Sequence, residues 1–149
     1  MAKMIERLET GVENGAEVIV VGGGIAGVAA SVAAARCGAD VLLLEKGALL
    51  GGLATNGLIN WYEPLCDGRG EQLMTGLAEE LLRLSIRYGD DTLPRIWKDK
   101  AHPVDRGLVS SQKQNPVGGR YATLFSPTIF QLALDELLKK EGVRIRLDI

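Results

Sequence analysis

Cysteine, histidine and aromatic residues are all scarce in this 149-residue sequence, which holds two cysteines, one histidine and 5% Phe, Trp and Tyr together. Cys37 and Cys66 lie far apart with no C-x-x-C spacing. With His102 as the sole histidine they offer neither a disulfide framework nor a zinc set, so no metal site is expected. So few thiols suit a reducing cytoplasm, the expected location. An excess of charge of one sign is lacking too. The 17 Lys+Arg and 19 Asp+Glu leave a formal charge of -2 and are interspersed. No basic face invites nucleic acid and no charge block invites an anionic membrane, which favours small-molecule chemistry. The run from Val18 to Ala35 is nearly all small or apolar. Gly22, Gly23 and Gly24 would break a membrane-spanning helix there, and Glu13 and Glu17 stand where a signal peptide wants positive charge.

What is present reads as one globular unit. Residues 1–16 show no sustained apolar period and form an arm. Glu17–Val21 is a β-branched apolar run, expected to be a strand buried on both faces of a parallel sheet. Ile25–Cys37 is alanine-rich and helical, and Gly38 stops it in the position that tolerates left-handed backbone. Val41–Leu44 is a second buried strand, so a right-handed crossover makes the pair parallel. Glycine, asparagine and aromatic residues between Lys46 and Gly70 predict a long loop region with room for a short strand. Glu71–Tyr88 has helical spacing, with Leu73, Leu77, Leu81 and Leu84 on one stripe and Gly89 as its stop. Prolines at 94, 103 and 116 mark turns, with short strands expected at Ile96–Lys98 and Arg120–Phe125. Ser126-Pro127 caps a helix carrying Phe130, Ala133, Leu134, Leu137 and Leu138 at core spacing. Gly142 stops it before a strand at Val143–Leu147. A chain ending on a strand looks truncated.

The fold class is therefore α/β with a central parallel sheet, expected to be incomplete at its C-terminus, and the Gly22-x-Gly24-x-x-Gly27 turn between the first strand and helix makes it a Rossmann-like FAD/NAD(P)-binding domain. Residues 17–149 form the N-terminal part of the binding domain, with 57–125 as a loop and helix insertion. Gly22-x-Gly24-x-x-Gly27 supplies glycine for the tight turn, for backbone approach to a pyrophosphate, and for close packing of helix on strand. Backbone N–H groups near Ile25 and Ala26 then face two phosphates with the positive end of the helix dipole behind them. Glu45 ends the second strand at roughly the 20-residue spacing at which an acid accepts hydrogen bonds from ribose hydroxyls. An acid there disfavours a 2′-phosphate, so NADP is less suited than NAD or FAD. The glycine pair Gly51-Gly52 would let a loop pass flat against a bulky ligand.

The sequence from Glu45-Lys46-Gly47 to Leu50-Gly51-Gly52-Leu53-Ala54-Thr55-Asn56-Gly57 resembles the N-terminal part of FAD-dependent oxidoreductases of the glutathione-reductase-like superfamily. Gly76–Leu81, Phe125-Ser126-Pro127, Leu132–Leu137 and Gly142-Val143 extend the likeness over residues 17 to 149. The resemblance implies FAD as cofactor. It places Gly51, Gly52, Leu53, Ala54 and Thr55 near the pyrophosphate, ribityl chain or flavin, and Glu45 and Lys46 at the adenosine ribose. It also implies a small-molecule substrate and an electron acceptor, neither identified, and a full-length enzyme of which this chain alone would be inactive. Family members carry later segments that contact adenine and the flavin end, and these are absent here.

Two other readings stay open: a non-catalytic NAD or ADP-ribose binding module, and an enzyme of thiazole-synthesis type that uses NAD as substrate. No catalytic residue is assigned. Cys66 lies in a polar loop with no second thiol nearby, and Cys37 reads as a small buried residue. His102, Arg106 and Arg120 are read as surface residues, and Trp61 and Tyr62 as packing residues that could also stack on a ligand.

Overall fold

A computed structural model describes residues 3–7, 9, 11–12, 15–67, 69, 71–88 and 123–149. Strand β1 spans Val18–Val21, helix α1 Ile25–Arg36 and strand β2 Val41–Leu44. The strands run parallel, with Val18 opposite Val41 and Val21 opposite Leu44. Alanines keep α1 slim, and only Val28, Ser31 and Val32 are fully buried along it. Gly38 ends it with φ 89, as the glycine stop anticipated. Cys37, expected to be buried, is exposed instead, because it caps the helix end on the solvent side.

Strands β3 (Trp61–Tyr62) and β4 (Thr123–Leu124) pair antiparallel in a small ribbon apart from the main sheet. Helix α2 covers Leu77–Ser85, and helix α3 covers Pro127–Lys140. The hydroxyl of Ser126 accepts the Ile129 N–H at the start of α3, and Pro127 occupies its first turn. Strand β5 (Arg144–Arg146) lies parallel on the other side of β2, with Ile145 opposite Leu43. The sheet order is β1-β2-β5, so β2 is central and the fold is α/β with a Rossmann-like parallel sheet.

The core lies between one sheet face and the helices. Val41 and Leu43 of the sheet join Val28 and Val32 of α1, Leu81 and Leu82 of α2, and Phe130, Leu134 and Leu138 of α3. Arg36 clasps the helix ends, its guanidinium donating to both Glu80 oxygens at 2.7 Å and to Glu141 at 2.8 Å. Such exposed pairs contribute only about 0–1 kcal/mol each, so the apolar cluster holds the layers and the arginine sets their register.

Two further expectations are corrected. Strand β1 is not buried on both faces: Ile19 is 51% and Val21 82% exposed. Strand alternation turns these two away from the helices, and no described element covers that side. Helix α2 starts at Leu77 rather than Glu71, and Leu73 is exposed. The preceding residues form a loop instead, in which the Asp67 carboxylate accepts the Arg69 and Glu71 N–H groups and the Leu65 carbonyl accepts those of Leu73 and Met74. Gly76, at φ 64, then separates loop from helix. Gly89, the strand expected at Ile96–Lys98, His102, Arg106 and Arg120 lie outside the described residues.

Candidate dinucleotide site

The three fingerprint glycines answer to three different demands. Gly22 leaves β1 at φ 102, a conformation side chains resist, while its N–H donates to the Leu44 carbonyl at 2.7 Å. At Gly27 a methyl group would collide with the Gly22 carbonyl oxygen, so α1 can lie this close to the strand end only without one. Gly24 is different. Its backbone is extended, at φ -66 and ψ 175, and nothing lies within 4 Å of where a Cβ would stand. The protein itself does not require glycine there; the free space faces outward.

That opening stands at the start of α1, which has no side-chain cap and no acid in its first turn. Val28 is the first residue of the helix whose N–H bonds back one turn, to Gly24 at 2.9 Å. The N–H groups of Ile25, Ala26 and Gly27 precede the ladder and converge with the helix dipole on the same space, the arrangement that receives phosphate.

Glu45 leaves the end of β2 and reaches back to the turn. One carboxylate oxygen accepts the Gly47 N–H at 2.7 Å and the other accepts the Gly23 N–H at 2.6 Å. These bonds, Gly47 first, hold its carboxyl below the ordinary range, so it is ionised at neutral pH. Each oxygen keeps lone-pair capacity for a hydroxyl donor. Gly23, a variable position in the fingerprint, is thus part of the site. A Cβ there would press on Leu50 and on Glu45 itself, and the run of three glycines was the available signal. Lys46 is exposed beside this carboxylate.

The second glycine turn packs against the first. Gly51 donates its N–H to the Gly23 carbonyl at 2.7 Å, and a methyl on Gly52 would stand 3.2 Å from the Gly24 Cα. A short 3-10 turn, Gly52–Ala54, follows. Gly51 has φ 97, and the space beside it is filled by Thr55 and Leu134. Thr55 is buried, its hydroxyl donating to the Leu50 carbonyl. Leu53 stands 71% exposed, with Ala54 beside it. The flat passage expected of Gly51-Gly52 therefore runs along the first turn, and Thr55 faces inward.

Between these turns and the ribbon lies a cavity of about 420 Å³. It is lined by Gly24, Ile25, Ala26 and Gly51 of the two glycine turns, by Leu53 and Ala54 of the short 3-10 turn, and by Ile59, Trp61, Tyr62 and Phe125 in and beside the ribbon. Ile59 and Phe125 were not anticipated from the sequence, since only the chain's path brings them to Gly24. Tyr62 packs its ring against Phe125 and Phe130, at centroid distances of 5.4 and 6.2 Å, and burial pushes its phenol pKa up. An uncapped helix start, an ionised carboxylate and an adjoining apolar cavity together fit a dinucleotide with a flat ring at one end.

Comparison with known proteins decides among such ligands. The model of the family described as FAD dependent oxidoreductase matches residues 17–148. The chain belongs to that family. Its cofactor is accordingly FAD. The chain is similar to a urocanate reductase of Eggerthella lenta, 32% identical over 113 residues, which cover 72% of this chain and 18% of that protein. It thus spans about a fifth of that relative's length. Solved structures with a similar fold include THI4 of Thermovibrio ammonificans, at TM-score 0.49 and 17% identity over 89% of this chain and 38% of the other. Another is 3-ketosteroid-delta4-(5alpha)-dehydrogenase from Rhodococcus jostii RHA1, at TM-score 0.47 and 21% identity over the same shares, 89% and 38%. Among the described residues, no helix is long and apolar enough to cross a membrane.

Proposed function

We propose that this chain forms the ADP-binding part of an FAD-dependent oxidoreductase of the glutathione-reductase-like type. The observation that carries this reading is Gly24, whose extended backbone needs no glycine and whose missing side chain leaves space open before an uncapped helix start. Ile25 and Ala26 offer N–H groups to the pyrophosphate, and Glu45 accepts hydrogen bonds from the adenosine ribose while holding the Gly23 turn. Leu53 and Ala54 border the path away from the phosphates, and Thr55 keeps that border in place from within. When bound, the flavin accepts or gives a hydride or an electron pair, and the chain's own part is to bind and orient it. The similarity to a urocanate reductase makes urocanate one substrate to assay in a full-length protein.

Calorimetric titration with FAD, ADP, ADP-ribose and NAD tests this. FAD should bind more tightly than NAD, and ADP should compete with it. Binding of NAD or ADP-ribose with no measurable binding of FAD would instead favour a non-catalytic nucleotide module.

A further inference from the structure

The cavity beyond the phosphate cradle has a direction. Glu45 stands outside it, on the side of the Gly23 turn, whereas Gly24, Ile25 and Ala26 belong both to the cradle and to the cavity wall. A dinucleotide whose adenosine ribose meets Glu45 and whose pyrophosphate meets the helix start has its remaining end at the cavity mouth. That end must be compatible with an almost wholly apolar lining of Ile59, Leu53, Ala54 and aromatic residues.

The ribbon that forms the far wall is anchored. The Phe125 N–H donates to the Asn60 carbonyl at 3.1 Å, Trp61 pairs with Leu124, and the Phe125 ring meets that of Phe130 at 5.1 Å. Tyr62 and Phe125 are thereby committed to the core. Trp61, their neighbour on the same ribbon, is half-buried and has no ring partner among the described residues. A large flat side chain on an anchored strand, bordering an apolar cavity, is preorganised for another flat ring.

Resting on the FAD reading above, we infer that Trp61 is the residue against which the isoalloxazine ring of FAD packs, making the β3–β4 ribbon the flavin-side wall of the site. Trp61 then adds affinity for the ring end of FAD and none for its ADP half.

The test compares FAD with ADP, by calorimetry, on the wild-type chain and on W61A and W61F. The expected result is that W61A loses about tenfold in FAD affinity, the effect of losing an aromatic contact, with ADP affinity unchanged and W61F recovering most of the loss. Unchanged ADP binding also reports that W61A is folded. Equal weakening of FAD and ADP in W61A, or no change in either, overturns the inference and leaves the ADP-binding reading standing. Failure of the wild-type chain to bind both ligands overturns that reading, and the role of Trp61 with it.

Discussion

The turn at Gly22–Gly27 and the turn at Gly51–Thr55 lie against one another, joined by the bond from Gly51 to the Gly23 carbonyl, and both are glycine-rich for opposite reasons. Around Gly51 the protein fills the space itself, with Thr55 and Leu134 standing where a side chain would go. Around Gly24 it leaves the space empty although the backbone would accept any residue. One turn is packed by its own side chains at this point, and the other leaves room there. Glycine content alone does not separate them; the surroundings of the absent Cβ do.

That contrast can be broken by adding single methyl groups. The largest effect is expected at Gly27, where a methyl meets backbone rather than a movable side chain. G27A should force α1 off the strand end, destabilise the fold by about 3 kcal/mol and abolish FAD binding. Chemical denaturation measures this, and a loss below about 1 kcal/mol would mean that helix and strand separate easily. G51A comes next. The positive φ and the collision with the Thr55 side chain should together cost about 2 kcal/mol of stability, while the ratio of FAD to ADP affinity stays constant. A change in that ratio would show that the second turn also touches the flavin end directly.

G24A sharpens the contrast, because the same methyl falls in open space. Stability should stay within about 0.5 kcal/mol of wild type, while FAD and ADP each bind about tenfold more weakly. A destabilised but fully binding variant would reverse the assignment of the two turns.

The sequence made legible those features whose causes are local or periodic. The alternation of strand, glycine turn and helix up to Glu45, the Ser126-Pro127 start and the Phe130–Leu138 stripe all follow from backbone preferences and spacing. What escaped depends on neighbours distant along the chain. Leu73 fits the stripe of α2 but is drawn into a loop by the Leu65 carbonyl. Val21 has the composition of a doubly buried strand residue, yet only one sheet face is covered among the described residues. Thr55 reads with Gly51 as ligand-facing, and only the bond from its hydroxyl to the Leu50 carbonyl shows that its side chain points inward. Ile59 carries no motif at all, and Phe125 enters the sequence reading only beside the Ser126-Pro127 helix start, with no sign that it reaches the cavity.

Glu45 ties the end of β2 to the first turn, and the smallest effect is expected from titrating it. Its carboxyl is held below the ordinary value of 4.5 chiefly by the Gly47 and Gly23 N–H groups. A depressed carboxyl pKa contributes stability that is fully present above the unfolded-state value and lost as pH falls through the folded-state one. The Gly23 turn should therefore hold its shape at neutral pH and loosen only below about 4.5, where protonation also removes the charge that favours ribose hydroxyl donors. ADP affinity measured down through this range should fall in the wild type. In E45Q, which keeps a carbonyl acceptor but cannot titrate, it should start a few-fold weaker and stay nearly level. Parallel decline in both proteins would assign the pH dependence to the nucleotide or to another group, and would leave Glu45 as a fixed tie between β2 and the first glycine turn.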